Sequence, residues 1–372
     1  MKKILLFFLV LTIVLAGVLR VRYGGGEYYA DLSGPPLVDE RDLEEVLSYP
    51  EPIGNVAVSA AGRVFFTVHP ESRPRGNKLL EYVDGASVPY PDIESQQRLF
   101  DTVLGVVVDR QNRLWTLDHG NHGLRTARLL AFDLASGELI HDQNFDASIA
   151  PAGSFLQDLQ VSADGRTVVI ADASFWRKSP ALIVYDIGTA SARRVLERHA
   201  SVTAEDYIIR NHGEDMTFVG GIVALRGGVD GIAISDDWLY YGAISNSGLY
   251  RIEVRELAVR GSPNSQLAAA VERYSDKPIS DGMSVDTQGN VYVTDIEHGA
   301  VFRIDADRTP RTLLRSPRIR WADALSFGPD GWLYVADSAL HDVVLQPRDY
   351  IREKGPYRIF RFRAGIEGFP GQ

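Results

Sequence analysis

The chain has 372 residues, of which 45% are hydrophobic and 24% are charged, a composition typical of folded globular proteins rather than disordered ones. Its net charge of −10 at pH 7 argues against a nucleic-acid partner, which would need a basic face, and suits a protein that handles cations or cationic ligands. The sequence contains no cysteine, which excludes disulfide bonds, thiolate catalysis and zinc–thiolate sites.

The chain begins with an apolar segment, in which Lys2 and Lys3 precede an uncharged run at residues 4–19. This pattern is typical of an export signal, and the small residue Ala16 offers a cleavage site. The run is at the short limit for a membrane span, so an uncleaved anchor is the alternative. We therefore assign residues 1–22 to a signal peptide or membrane anchor. In either case we expect the folded part outside the cytoplasm, periplasmic or secreted, with membrane contact only if this segment is retained.

Residues 23–51 are predicted to be a linker and lead-in. Three consecutive glycines at 24–26 are flexible, and two prolines at 35–36 are stiff. Residues 42–49 fit a short strand or a helix. We expect this piece to pack on the last unit of the repeat described next and to close it into a ring.

One pattern recurs six times: an apolar run, a short polar turn and a second apolar run, which together predict an antiparallel hairpin. In each copy the last residue lies fourteen positions after the first. A third apolar segment follows each hairpin, and in places a fourth. The six copies are residues 55–69, 104–118, 158–172, 230–244, 281–295 and 323–337.

Six units of three or four strands predict an all-β fold, a six-bladed β-propeller over residues 52–372. A sandwich or an open solenoid is the structural alternative, but neither explains six hairpins of one length. We expect a monomer that binds a small-molecule ligand at one mouth of its central channel.

Propeller geometry sorts the repeated positions into two rings on one face. The first strand of each blade lines the channel and the second returns, so the start of one and the end of the other lie together. The inner ring consists of Asn55, Leu104, Asp158, Asp230, Asp281 and Asp323. The outer ring consists of His69, Asp118, Asp172, Ile244, Asp295 and Asp337.

Aspartate is a poor strand residue, so its recurrence needs a cause. One cause is structural, because an aspartate at a strand end accepts hydrogen bonds from loop N–H groups. This explanation suits the outer ring better than the inner ring. Carboxylates around a narrow channel repel one another unless some are protonated or a cation lies among them. Oxygen ligands from separate blades suit Ca²⁺ or another divalent cation. The predicted metal ligands are Asn55, Asp158, Asp230, Asp281 and Asp323.

The loops of the same face supply further candidates. Trp176 would stack on a flat ligand or pack beneath a lid formed by residues 188–229. His119 and His122 lack a third ligand at a proper spacing for a metal. The sequence has no phosphate loop or dinucleotide fingerprint, so we expect neither a nucleotide nor a flavin. The predicted ligand-binding residues are His69, Asp118, His119, Trp176, Asp230 and Asp323.

Residues 113–118 (RLWTLD) resemble the RLWVLD signature of the major royal jelly protein/Yellow family, whose bacterial branch is described as dopachrome-tautomerase-related. Further matches lie at residues 154–161, 277–283 and 321–334, and the resemblance covers about residues 52–341. It implies a secreted six-bladed propeller with a ligand site at the channel. Some relatives bind biogenic amines there, and some are credited with dopachrome conversion.

A more distant resemblance connects the chain to the gluconolactonase and senescence-marker propellers. It implies a divalent cation held at the inner ends of the first strands, where Asp158, Asp230, Asp281 and Asp323 are predicted. Such a cation would polarise a carbonyl while a carboxylate moves a proton.

Three functions remain open at this stage. The first is an enzyme that acts on a small cyclic or aromatic carbonyl compound, by isomerisation or lactone hydrolysis, with Asp158 and Asp281 as the catalytic residues. The second is a non-catalytic binding protein for cationic or aromatic amines. The third is an interaction scaffold. The fold alone does not choose among them.

Overall fold

The protein forms a ring of six four-stranded antiparallel sheets, seen in a computed structural model that describes residues 2–371. The first strands of successive sheets contact one another in ring order. The predicted six-bladed β-propeller is therefore confirmed. The strands are β1 (Glu44–Tyr49), β2 (Ile53–Val58), β3 (Val64–Val68), β4 (Leu79–Val83), β5 (Ala86–Pro89), β6 (Val103–Val108), β7 (Arg113–Asp118), β8 (Ala127–Asp133), β9 (Leu139–Phe145), β10 (Leu156–Val161), β11 (Thr167–Asp172), β12 (Ala181–Asp186), β13 (Ser191–Val195), β14 (Arg210–Asn211), β15 (Glu214–Asp215), β16 (Thr217–Phe218), β17 (Val223–Ala224), β18 (Val229–Ile234), β19 (Trp238–Ala243), β20 (Gly248–Glu253), β21 (Glu272–Asp276), β22 (Met283–Val285), β23 (Val291–Asp295), β24 (Ala300–Ile304), β25 (Pro310–Arg315), β26 (Ala322–Phe327), β27 (Trp332–Asp337) and β28 (Tyr357–Arg363).

Five blades are made of four strands in simple sequence order: β2–β5, β6–β9, β10–β13, β18–β21 and β22–β25. The sixth has the order β1-β28-β27-β26. The lead-in thus supplies the outer strand of the last blade, where β1 runs antiparallel to β28 and Leu47 is buried. Upstream of β1 the chain runs along β25, where the N–H of Val38 donates to the carbonyl of Leu313 over 2.8 Å. The pairing of β1 with β28 joins the two ends of the chain in one blade and closes the ring.

The start of each first strand is distorted. In five blades the pairing with the second strand slips at this point, for example between Leu156 and Leu159 and between Val229 and Ile232. Such a bulge redirects side chains. In the fifth blade β22 begins later, and the hydroxyl of Thr294 accepts hydrogen bonds from the N–H groups of Asp281 and Gly282. The inner-ring residues therefore lie in irregular backbone at the channel wall.

Glycine permits the first strands to crowd around the channel. A Cβ atom on Gly231 would lie 2.3 Å from the carbonyl oxygen of Asp281, and one on Gly282 would lie 2.5 Å from that of Asp323. No larger residue fits at either position without moving the neighbouring backbone. Adjacent blades therefore meet by backbone contact at the level of the inner ring, and water is largely excluded there.

Helices are few among residues 2–371. The longest is α1 (Lys2–Tyr23), which is long and apolar enough to cross a membrane by length and composition, a test that export signals also pass. Short helices occupy the loops: α2 (Ser95–Arg98), α3 (Gly120–Gly123), α4 (Val254–Ala258), α5 (Asn264–Ala270) and α6 (Arg348–Glu353). The segment predicted as a lid contains β13 and, beyond it, two small ribbons, β14–β15 and β16–β17.

Candidate functional site

A cavity of about 70 Å³ lies at the mouth of the channel, on the face where the inner ring begins. Its polar lining is made by His69, Glu71, His122, Gln157, Asp281 and Trp321. Its walls are apolar and include Phe155, Phe175, Trp176, Phe218, Leu225, Ile244, Leu340, Val344 and Leu345. Phe218 belongs to β16 and Leu225 follows β17, so the ribbon of the predicted lid forms part of the wall.

Asp281 is the inner-ring carboxyl that lines this cavity. The indole N–H of Trp321 donates to its Oδ2 over 2.7 Å, and its side chain shares a hydrogen bond with that of Asp230. Two carboxyl groups can bond to each other only if one of them carries a proton. Asp230 and Asp281 are therefore placed to share a proton, with Asp281 as the member that faces the cavity.

The carboxyl groups of the inner ring favour the protonated state. Burial, followed by the charge of Asp281, raises the pKa of Asp158 to about 8, although Asp158 keeps a partial opening to the channel interior. Burial and the neighbouring carboxylates raise the pKa values of Asp230 and Asp323 well above their ordinary range. Burial also raises the pKa of Asp281, against the hydrogen bonds from Asp230 and Trp321. The ring thus retains protons at neutral pH.

N–H donors face three of these carboxyls. The amide of Asn55 donates to Asp158 Oδ1 over 2.8 Å, while its own oxygen accepts from the N–H of Val56. The amide of Gln157 donates to Asp230 Oδ2. With the indole of Trp321 on Asp281, each of the three carboxyls has one N–H partner. Such donors complement a proton-sharing cluster, but a carboxyl with one N–H partner keeps further lone pairs, so they do not exclude a cation.

Among the predicted metal ligands, Asn55 is the one whose orientation does not suit a cation. Asn55 directs its nitrogen, not its oxygen, into the ring. Within residues 2–371, three acidic or histidine side chains with ligand atoms all within 4.8 Å of one another occur only at Asp31, Asp295 and His298, outside the inner ring. The metal assignment of the inner ring stays a prediction.

A histidine–glutamate pair lines the cavity together with Asp281. His122 Nε2 lies 2.8 Å from Glu71 Oε1. Burial alone would raise the pKa of Glu71, but the hydrogen bond from His122 and the electrostatic interaction with that ring lower it to about 2. Glu71 is therefore an ionised carboxylate beside an imidazole. His122 Nδ1 is buried and finds no hydrogen-bond partner among the described residues.

His69 and His119 are neutral and have defined tautomers. Each begins a short helix and accepts a backbone N–H at Nδ1, from Glu71 at 3.1 Å and from His122 at 2.9 Å. Their protons are therefore on Nε2. Burial lowers the pKa of His69 to about 4 and that of His119 to about 3. His69 Nε2 lies 3.7 Å from Asp323 Oδ2, which has no hydrogen-bond partner in the described part of the chain.

The structure brings together some of the predicted site residues and separates others. Asp158, Asp230, Asp281 and Asp323 gather in the channel, and His69 and Trp176 line the cavity above them. Asp118 does not line the cavity, because its Oδ2 accepts the N–H groups of the preceding loop at residues 101 and 102. His119 lies behind the wall, with its ring against Phe155 at 4.7 Å between centroids.

The outer ring acts mainly on loop structure. Asp337 Oδ1 accepts the N–H groups of Arg320 and Trp321, at 2.9 and 2.8 Å, and its Oδ2 pairs with the Arg320 guanidinium. Asp172 in the same way accepts the N–H of Phe155 at 2.7 Å. These bonds fix the loops that present Trp321 and Phe155 to the cavity. The outer aspartates thus position the site rather than contact a ligand.

Four polar residues that complete the site are absent from the predicted set: Glu71, His122, Gln157 and Trp321. Each is one to three positions from a predicted residue, so position along the chain gave a weak signal. Gln157 and Asp158 are consecutive, and regular alternation in a strand would send them to opposite faces. Only the bulge between Leu156 and Leu159 allows both to reach the channel.

Residues 101–339 match the family model described as Major royal jelly protein, which confirms the resemblance seen in the sequence. No curated protein sequence matches the chain.

Solved structures share the architecture. A luciferin-regenerating enzyme is 13% identical, with a TM-score of 0.56, and the match covers 88% of this chain and 97% of that one. A gluconolactonase from Xanthomonas campestris is 14% identical (TM-score 0.54; 92% and 99% covered). The calcium-binding protein regucalcin from Agrobacterium tumefaciens is 15% identical (TM-score 0.55; 88% and 95% covered). Identities this low show a common fold and no more.

The raised pKa of Asp158 predicts a pH-dependent gain in stability when it is replaced by asparagine. A pKa raised from 3.8 to about 8 on folding means that Asp158 favours the folded state below pH 3.8 and that this contribution is lost as the pH rises towards 8. The asparagine side chain cannot ionise and keeps an oxygen acceptor for Asn55. The free energy of unfolding of Asp158→Asn relative to wild type should be roughly 2–4 kcal/mol more favourable at pH 8 than at pH 5.

Urea unfolding at the two pH values measures this difference, with Asp237→Asn as the control, since Asp237 is exposed on the opposite face. The control should show no pH-dependent change. An effect of Asp158→Asn that is equal at pH 5 and pH 8 would contradict the protonated state of the ring.

Proposed function

The chain belongs to the major royal jelly protein family, and from this premise we propose that its channel-mouth cavity catalyses proton transfer in a small cyclic or aromatic carbonyl compound, that is, an isomerisation. We propose further that it acts outside the cytoplasm, since α1 fits an export signal or an anchor. The observation that carries the proposal is Asp281, a buried carboxyl at the cavity surface that is placed to share a proton with Asp230.

The lining of the cavity suits such a substrate. Aromatic and aliphatic side chains form the walls, and the polar groups concentrate at Asp281, Gln157 and the Glu71–His122 pair. A ring would rest against the walls while its oxygen atoms meet the polar lining.

Isomerisation requires a group that takes a proton from one position of the substrate and a group that returns one elsewhere. With a proton on Asp230, ionised Asp281 removes a proton from one position of the substrate and becomes protonated itself, and it later returns that proton to another position of the substrate. The Glu71–His122 pair, on the same cavity, donates a proton to the substrate oxygen and recovers it afterwards. Electrons stay within the substrate and the protein regains its protons, so no oxidant or reductant is needed.

Trp321 sets the strength of this base. Its indole N–H stabilises the ionised form of Asp281 and so lowers the pKa of that carboxyl against the effect of burial. The indole is itself fixed by Asp337, which accepts the backbone N–H of Trp321. Trp321 is thus a positioning residue that holds Asp281 towards the cavity and offsets part of the rise in its pKa that burial causes.

Replacing Asp281 by asparagine should abolish most of the turnover without unfolding the protein. The amide keeps the bond from Trp321 but cannot accept a proton, so kcat should fall roughly 10²–10⁴-fold while KM changes little. The assay is a panel of tautomerisable cyclic and aromatic carbonyl compounds, dopachrome among them, with Asp237→Asn as the surface control.

Trp321→Phe should move the rise of activity with pH to higher pH, because the bond that lowers the pKa of Asp281 is lost.

Unchanged kcat in Asp281→Asn would remove the proposed base. Absence of turnover on the whole panel, together with tight binding of aromatic amines that weakens in Asp281→Asn, would instead support the amine-binding function.

A second candidate is cation-dependent lactone hydrolysis. Four buried carboxyl groups in one channel favour it, with Asp323 Oδ2 lacking any hydrogen-bond partner among residues 2–371. A gluconolactonase and a calcium-binding regucalcin also share the fold. Against it stand the N–H donors on Asp158, Asp230 and Asp281, which a proton-sharing cluster explains without a cation.

Metal analysis separates the two candidates. The proton-sharing cluster predicts that protein purified without chelator carries no stoichiometric divalent ion by mass spectrometry. Its melting temperature should also be the same with EDTA and with calcium, because no ion is needed to balance the ring. One tightly held divalent ion per chain, with a melting temperature that falls in EDTA, would contradict this account and favour the hydrolase.

A further inference from the structure

The end of α1 is docked on the face of the propeller that carries the cavity. Tyr23 is 9% exposed, and its hydroxyl donates to the carbonyl of Trp176 over 2.8 Å. Its ring contacts those of Phe175 and Trp176, at centroid distances of 6.0 and 6.1 Å. Both of these residues line the cavity. Arg226 holds the next residue, Gly24, through its carbonyl at 2.7 Å.

The rest of α1 extends away from the propeller. Residues 2–15 are all exposed, and the apolar side chains among them are not buried against the propeller, although the rings of Phe7 and Phe8 contact each other. A helix of 22 residues is about 33 Å long, which matches the ≈ 30 Å hydrocarbon core of a bilayer. An exposed apolar helix of this length is stable only in an apolar medium. The docked end therefore marks the level at which the helix leaves that medium.

Large apolar side chains project from the mouth loops. Four of them are unusually exposed for their type: Leu124 (70%), Val219 (65%), Leu345 (59%) and Trp176 (43%). Each belongs to, or directly follows, a segment that lines the cavity. Val219 and Leu345 have left-handed backbone conformations, with φ of 52° and 58°, which are strained for such residues. Despite this strained backbone, neither side chain is buried within the chain, which indicates an apolar partner outside it.

Basic side chains accompany this apolar surface, although the whole chain is acidic. Arg22 and Lys178 lie beside the docked helix end, at the edge of a polar groove whose acidic members are Glu205 and Asp206. Another groove next to the cavity is lined by Arg73, Arg75, Arg348 and Arg352, with Glu51 and Asp349 as its acidic members. Arginines around exposed apolar residues are typical of a surface that meets anionic lipid headgroups.

We propose that α1 is retained as a membrane anchor and that its docked end holds the mouth face of the propeller against the bilayer surface. Val219, Leu345 and Trp176 then enter the interfacial layer, and the arginines contact headgroups. The cavity consequently opens towards lipid, and it receives ligands that partition into the interface. This inference uses α1 and the mouth loops alone and does not depend on the proposed reaction.

The absence of cysteine makes a site-specific test simple. Single cysteines replace Val219, Leu345 or Gln288 in the full chain, and each carries an environment-sensitive fluorophore. Gln288 is exposed on the turn between β22 and β23, at the opposite face. In nanodiscs that contain anionic lipids and nitroxide-labelled lipid, the labels at 219 and 345 should be quenched several-fold more strongly than the label at 288. Equal quenching at all three positions would overturn the proposal.

Two further measurements complete the test. The intact mass of the protein recovered from membranes should include residues 2–16, and loss of this segment would show cleavage and overturn the anchor. Tyr23→Ala removes the docking contacts but leaves the helix in the membrane. Quenching at 219 should then fall towards the value at 288, while the protein remains membrane-bound. Quenching at 219 that is unchanged in Tyr23→Ala would contradict orientation by the docked helix end.

Discussion

The close approach of the first strands around the channel is the constraint from which the other features follow. Gly231 and Gly282 allow neighbouring backbones to touch, and the bulges turn the residues at the strand starts inward. Carboxyl groups in that position have little access to water. Because an isolated buried charge is far more costly than a protonated carboxyl, the ring keeps protons. Asp281 differs from the others in that it also reaches the cavity, where a retained proton can be exchanged with a ligand.

Two layers of aspartate therefore have two different tasks. Three of the four inner carboxyls accept N–H donors, and burial raises the pKa values of all four. The outer carboxyls accept backbone N–H groups and arginines, as Asp337 does with Arg320 and Trp321, and they fix the loops of the mouth. Similar residues in a repeated pattern thus form a buried carboxyl cluster inside a rigid frame. The proposed anchor would hold this cluster near a bilayer through the docked end of α1 and the apolar loop tips.

The sequence predicted the blades well because each hairpin repeats at one length and the fold has one pattern to repeat. It also predicted that Asp158, Asp230, Asp281 and Asp323 would meet, since this follows from ring geometry alone. Gln157 and Trp321 escaped prediction because their placement depends on a bulge and on the loop bonds of Asp337. The orientation of the Asn55 amide could not be predicted either, because it is decided by the N–H of Val56, which donates to the amide oxygen. The docking of Tyr23 rests on a contact across more than 150 positions, which no local pattern reveals.

Infrared spectroscopy of the carboxyl groups tests the central claim most directly, since protonated and ionised carboxyls absorb separately. The account predicts that wild-type protein at pH 7 retains protonated aspartate absorption, which weakens in Asp158→Asn and in Asp281→Asn and titrates away only as the pH rises past about 8, the pKa of Asp158. A spectrum without protonated carboxyl at pH 7 would contradict it, because the ring would then be fully ionised and would need a cation to balance its charge.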